Sequence, residues 1–176
     1  MGVKVNSIET MLVKKAHWLL ACLALSAVVL LQGCSGQGTE ELPLYSKIYA
    51  KDHDPESDLE FVIEEAKGSD RRILLFVGGD WCPWCRALDT FLSKDQPEVG
   101  EYLHEHFVLM KVYYGPGNYN QSFLAGFPRL VGTPHFFVLE SDGSLLHSQS
   151  TAELEKGRSY DTLKMMAFLK RWAPKN

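Results

Sequence analysis

The sequence predicts an α/β domain with a central mixed β-sheet flanked by helices. Three observations predict it. Apolar residues recur first at helical and then at strand spacing, and the two patterns alternate through the chain. A strand, helix, strand succession in the first half implies a parallel pair. In the second half, two strand-like runs flank Glu140-Ser141-Asp142-Gly143, whose Asp-Gly pair marks a hairpin and adds an antiparallel edge.

In chain order, Leu59, Val62, Ile63 and Ala66 recur at helical spacing, and Ser57-Asp58-Leu59-Glu60 fits a capping box. Ile73 to Val77 (ILLFV) is a short apolar run, the pattern of a strand buried on both faces. Cys82 to about Ser93 reads as helix, with Cys85, Leu88 and Leu92 on one side. A further helix lies near Pro97 to His106, followed by a strand over Phe107 to Tyr113 (FVLMKVY). Residues 115–132 form a Gly- and aromatic-containing connection with room for a short helix. His135 to Leu139 and Ser144 to His147 are the hairpin strands. Met165, Phe168, Leu169 and Trp172 make a final apolar helical stripe, read as core packing.

Ahead of this domain the chain has a different character. Lys14 and Lys15 precede Trp18 to Leu31, a run of apolar or small residues too short for a bilayer span, which needs about 20. A basic start and a short apolar run describe a secretory signal. Leu31-Gln32-Gly33-Cys34 resembles the bacterial lipobox, which implies cleavage before Cys34 and lipidation of that cysteine. Two or more acyl chains suffice for stable membrane attachment. Ser35, not aspartate, after the cysteine implies the outer membrane in a Gram-negative envelope. The expected organisation is a signal over 1–33, a flexible tether over 34–44 and one domain over 45–176. A start at Met11 instead of Met1 would give the signal a more ordinary length.

The cysteine count then simplifies. Of four cysteines, Cys22 leaves with the signal and Cys34 becomes the anchor, so Cys82 and Cys85 remain as thiols. One pair three residues apart cannot staple a fold. Without Lys4, Lys14, Lys15 and Glu9, the 18 basic and 22 acidic residues become 15 and 21, a net charge of −6. That surface argues against nucleic acid or anionic lipid as the main partner.

The two thiols sit in Trp81-Cys82-Pro83-Trp84-Cys85-Arg86, at the junction from strand to helix. At a helix N-terminus, unpaired N–H groups and the positive end of the dipole stabilise a thiolate. Pro83 suits the first helical position, where its missing N–H costs nothing. Cys85, one turn on, faces inward and can attack a mixed disulfide formed at Cys82. Downstream, Gly132-Thr133-Pro134 enters a strand directly, a place for a deliberate turn and sometimes a cis bond.

The tryptophan-flanked cysteine pair, Thr133-Pro134 before a strand and the order of elements together resemble the thioredoxin superfamily, over about residues 57–173. The likeness is to periplasmic thioredoxin-like proteins with this type of site. It implies a thiol-disulfide oxidoreductase with Cys82 as nucleophile and Cys85 as resolving thiol. It also implies a cis Thr133-Pro134 bond, and a substrate chain meeting Trp81, Pro83, Trp84, Thr133 and Pro134. Its cofactor is the redox-active disulfide itself, with no metal. Its partners are exported proteins' thiols and disulfides, and a membrane thiol transporter as electron donor. The expected direction is reduction: an isomerase wants a dimerisation module for which the chain has no room.

One departure stands out. The buried aspartate that thioredoxins place six residues before the first cysteine is Phe76 here, which leaves the proton route of Cys85 open; Asp80 is too near the loop to be its equivalent. The pair also lacks the intervening histidine of strong oxidants, and Arg86 is the adjacent cation. Two other classes of function stay open. A copper relay could use the two thiolates with His135, whereas His104 and His106, two apart on a helix, point in different directions. A non-redox binding module could use the aromatic segment Tyr113 to Phe127 for a partner, unless that segment packs on itself.

Overall fold

The structure, a computed structural model, describes residues 44–175; the expected signal, Cys34 and the tether as far as residue 43 lie outside them. Among the described residues no helix is long and apolar enough to cross a membrane.

A short helical turn, α1 (Leu44–Lys47), leads into α2 (Pro55–Ser69). The sequence put a capping box at Ser57, but the cap is Asp54. Its carboxylate accepts from Glu56 N and from the Ser57 hydroxyl, and Pro55 takes the first helical position. Strand β1 (Arg72–Gly78) follows, then α3 (Pro83–Thr90). Beyond α3 the expected helix continues as one π-helical turn, Phe91–Asp95, closed by Gln96 N donating to Phe91 O at 2.8 Å. Pro97 then opens α4 (Pro97–His106), which runs into β2 (Phe107–Tyr113).

The connection after β2 holds one short helix, α5 (Gln121–Leu124). Strands β3 (His135–Leu139) and β4 (Leu145–Ser150) form the hairpin; β4 extends three residues past the expected His147. A 3₁₀ turn (Thr151–Leu154) and a two-residue-per-strand hairpin, β5 (Glu155–Lys156) with β6 (Ser159–Tyr160), were not legible in so short a segment. The chain closes with α6 (Thr162–Trp172), capped by Asp161.

The main sheet has the order β2-β1-β3-β4. β1 is parallel to β2 and antiparallel to β3, and β3 is antiparallel to β4, so the sheet is mixed, as the sequence predicts. Period-2 alternation splits β1 between two cores. Leu74 and Phe76 face α3, α4 and α6 together with Phe136 and Val138, while Ile73, Leu75 and Val77 face α2 and α5 together with Val108, Met110 and Phe137. Each face is covered by helices, which is why β1 reads as an unbroken apolar run.

The aromatic connection divides. Phe123 and Phe127 pack in sequence onto Phe137, with ring centroids 5.3 and 4.9 Å apart, so this half belongs to the core. Tyr114 and Tyr119 meet edge to face at 5.1 Å nearer the surface.

Candidate active site

β1 ends at Gly78, and the chain turns through Gly79-Asp80-Trp81 into α3. Cys82 N donates to Gly79 O at 2.9 Å and closes the turn. Cys82 is the extended N-cap of α3 and Pro83 its first residue. Cys85, one turn later, is fully buried, whereas Cys82 keeps 5% of its surface exposed. Both are free thiols.

Their environments displace them in opposite directions. Burial alone would raise the Cys82 pKa. The backbone N–H groups of Cys85 and Trp84, the Cys85 thiol and the Thr133 hydroxyl outweigh it and hold Cys82 below the ordinary thiol value. Cys85 is pushed up to about 12, chiefly by burial and then by Cys82 beside it, against the pull of the Gly79 backbone and the Tyr49 phenol. A helix N-terminus has thus been used for one thiol and the core for the other.

Thr133 and Pro134 close the site from β3, and their peptide bond is cis. The Cys82 thiol donates to Thr133 O at 3.5 Å, and the Thr133 hydroxyl donates to Cys82 Sγ at 3.7 Å. The Pro134 carbonyl accepts from Thr151 in the 3₁₀ turn, which fixes the loop from behind. Trp81 is 47% exposed; its indole Nε1 donates to Tyr114 O at 3.1 Å and lies across Gly115, where any Cβ would overlap the ring. Trp84 points the other way, edge to face with Tyr160, whose hydroxyl donates to Trp84 O at 3.3 Å. Arg86 is occupied by the Asp80 carbonyl, to which it donates.

Residues 54–141, half of the chain, match a family described as Thioredoxin-like. The chain belongs to the thioredoxin-like family. Among solved structures, it is similar to a disulphide isomerase from Xylella fastidiosa Temecula1, at 23% identity and a TM-score of 0.60, over 75% of this chain and 97% of that one. It aligns more loosely with the oxidised C-terminal domain of DsbD from Neisseria meningitidis, at 21% identity and a TM-score of 0.47, over 71% and 98%. At these identities the likeness is one of fold. No curated protein matches the chain.

In this thioredoxin-like domain the structure gathers Trp81, Cys82, Pro83, Trp84, Cys85, Thr133 and Pro134 at one end of β1. It does not bring His135 to the thiols. That imidazole is 2% exposed, donates to or accepts from Ser148 Oγ at 2.8 Å, and packs on Phe137, on the sheet face opposite Phe136 and the cysteines. The third ligand that a copper relay could have used is turned away. Among the described residues no group of three or more His, Cys, Asp or Glu side chains converges as metal ligands.

Sequence reasoning missed three residues behind the thiols. Lys111 Nζ donates to Asp89 Oδ1 at 2.7 Å, and both line a cavity of about 170 Å³ with Ser46, Leu92 and His104. A lone lysine in an apolar strand, FVLMKVY, and an acid one turn after Cys85 were the legible signals. Tyr49 stands edge to face with Phe76, centroids 5.4 Å apart, in a segment with no periodic pattern to flag it.

Proposed function

We propose that the domain is a thiol-disulfide oxidoreductase of the cell envelope, exchanging disulfides with exported proteins through Cys82 and Cys85 and working as a reductant. The observation that carries this reading is the opposite displacement of two thiols one helical turn apart, under a loop that bonds to the first. A low-pKa thiol on the surface side is a nucleophile at neutral pH; a buried neutral one waits. The fold shared with a disulphide isomerase supports it.

The Cys82 thiolate attacks one sulfur of a substrate disulfide, forming a mixed disulfide and releasing the other sulfur as a thiolate. Cys85 then loses its proton and attacks Cys82 Sγ. The Cys82–Cys85 bond forms, the bond from Cys82 to the substrate breaks, and the departing sulfur takes a proton. Two electrons have passed from the protein to the substrate. Trp81 and the Thr133 backbone flank the point of attack and would hold the substrate chain there.

On this reading a membrane thiol transporter re-reduces the pair, and the Cys34 lipid keeps the domain at the periplasmic side of the membrane. Equilibration with glutathione of the full-length chain carrying Cys22→Ser and Cys34→Ser, so that only the Cys82–Cys85 pair responds, tests it. A potential near −270 mV supports a reductant, and one near −120 mV makes the protein an oxidant. Failure to form a reversible Cys82–Cys85 disulfide would overturn the reading altogether.

A further inference from the structure

Resolution requires Cys85 to become a thiolate in a site that opposes it. The sulfur is fully buried. The strand position below it, which could have carried an acid, is the apolar Phe76, itself wedged between Tyr49 and Phe136. Lys111, the cation lying over the Tyr49 and Phe76 rings, is already bonded to Asp89 and to Lys47 O.

What the corner does contain is a phenol. Tyr49 is 5% exposed, and its hydroxyl is one of three buried side-chain polar atoms that find no hydrogen-bond partner among the described residues. A buried hydroxyl left unsatisfied costs free energy and calls for a reason. Its position supplies one. A Cβ at Gly78 would overlap Cys85 Sγ and stand 3.2 Å from the Tyr49 oxygen, so both atoms converge on the space that this glycine leaves open.

Tyr49 is also held there deliberately. Its segment is tied down on both sides: Ser46 donates to Leu109 O, Lys111 to Lys47 O at 3.1 Å, and Asn118 Nδ2 to Lys51 O at 2.8 Å. The Lys111 ammonium lies 5.1 Å from the centre of the phenol ring. Burial, Cys85 and Asp89 keep the phenol protonated, which makes it a donor and not a base.

We propose that Tyr49 is the positioning residue for the resolving thiol, donating its O–H to Cys85 Sγ as the proton leaves, a task that Phe76 cannot perform. The inference rests on the disulfide-exchange reading above. The proton still goes to the departing substrate sulfur through solvent; Tyr49 keeps its own and stabilises the charge. The other charged or titratable groups around Cys85 are Asp80 in the turn before α3, Cys82 at its N-cap, Asp89 farther along it, Lys111 on β2 and Tyr160 on β6, all common to both proteins compared below.

The test is Tyr49→Phe in the full-length chain, with Cys22→Ser and Cys34→Ser in both proteins so that Cys82 and Cys85 are the thiols that react, reduced and mixed with dipyridyl disulfide, which releases a coloured thione at each step. The fast phase reports Cys82 attack and the slow phase Cys85 resolution. A hydrogen bond to a charged group changes the thiolate fraction by about one to two decades. Roughly half of that is returned by the higher nucleophilicity of a more basic thiol. The slow phase should therefore fall about three- to tenfold and its pH profile move to higher pH, with the fast phase unchanged and the melting temperature no lower than that of the wild type, because the variant loses only an unpaired buried hydroxyl. An unchanged slow phase, or equal slowing of both phases without a displaced profile, overturns the role of Tyr49. Absence of both phases in the wild-type chain overturns the exchange reading instead.

Discussion

Cys82 and Thr133 are joined twice across the site, thiol to carbonyl at 3.5 Å and hydroxyl to sulfur at 3.7 Å. Only the second bond survives when the thiolate forms, because a carbonyl oxygen has nothing to donate to it. Thr133→Val removes that bond and leaves the carbonyl in place. A bond this long is worth less than the ~1.5–3 kcal/mol of a good bond to a charged group. Alkylation of Cys82 by iodoacetamide at pH 7 should slow about two- to fivefold, and its pH profile should move upward. An unchanged profile would show that the hydroxyl does not hold the thiolate.

Gly78 is the floor of the same site. With a side chain there, the new Cβ and Cys85 Sγ would occupy one space. Overpacking of a closed core typically costs about 1–3 kcal/mol. Gly78→Ala should lower the urea midpoint accordingly and should also retard closure of the Cys82–Cys85 disulfide, because the displaced sulfur is the one that must attack. Loss of stability with normal closure would mean that the strand, not Cys85, gives way.

These two residues show what the sequence made legible. The mixed character of the sheet follows from apolar runs and an Asp-Gly turn, signals that act within a few residues, whereas its order, with β1 between β2 and β3, rests on long-range pairing that the sequence did not show. Cys82 at the N-cap follows from Pro83 beside it. Tyr49 is different: it matters only because it lies against Phe76 and Cys85, contacts made across the fold from a segment without periodicity. The hairpin at Glu155–Tyr160 was equally hidden, since two residues per strand carry no alternation to read. The sequence left His135 open as a third ligand for a copper relay, because adjacency to Pro134 says nothing about which sheet face the next side chain takes; the structure puts it on the face opposite the cysteines.

The Asp89–Lys111 pair is more enclosed on one side than the other: the lysine side chain is 9% exposed and the aspartate 34%. Burial raises the Asp89 pKa even though Lys111 pulls it down. Removing one partner of an enclosed pair strands the other charge, at up to ~3–5 kcal/mol for full burial. Asp89→Leu and Lys111→Met should each destabilise by roughly 1–3 kcal/mol, less than that limit because the aspartate is partly solvated. The double variant should be more stable than the worse single one. Urea denaturation of all four proteins checks this; strictly additive losses would mean that the two charges do not compensate each other.

His135 is expected to weaken the fold as the pH falls. Burial first, then the nearby His147, push its pKa down to about 4, against Glu153, which favours protonation. The unfolded chain holds this imidazole near 6.5, so between pH 6.5 and 4 the unfolded state binds more protons. Stability from this group is therefore complete above pH 6.5 and is lost as pH falls toward 4. Between pH 7 and pH 5 the loss should be about 2 kcal/mol. His135→Phe keeps an aromatic ring against Phe137 and removes the titration, at the cost of the Ser148 bond. Its unfolding free energy should start lower at pH 7 but fall by about 2 kcal/mol less than the wild type on going to pH 5. Urea midpoints of both proteins at the two pH values decide it, and parallel pH slopes would assign the acid sensitivity to the carboxylates instead.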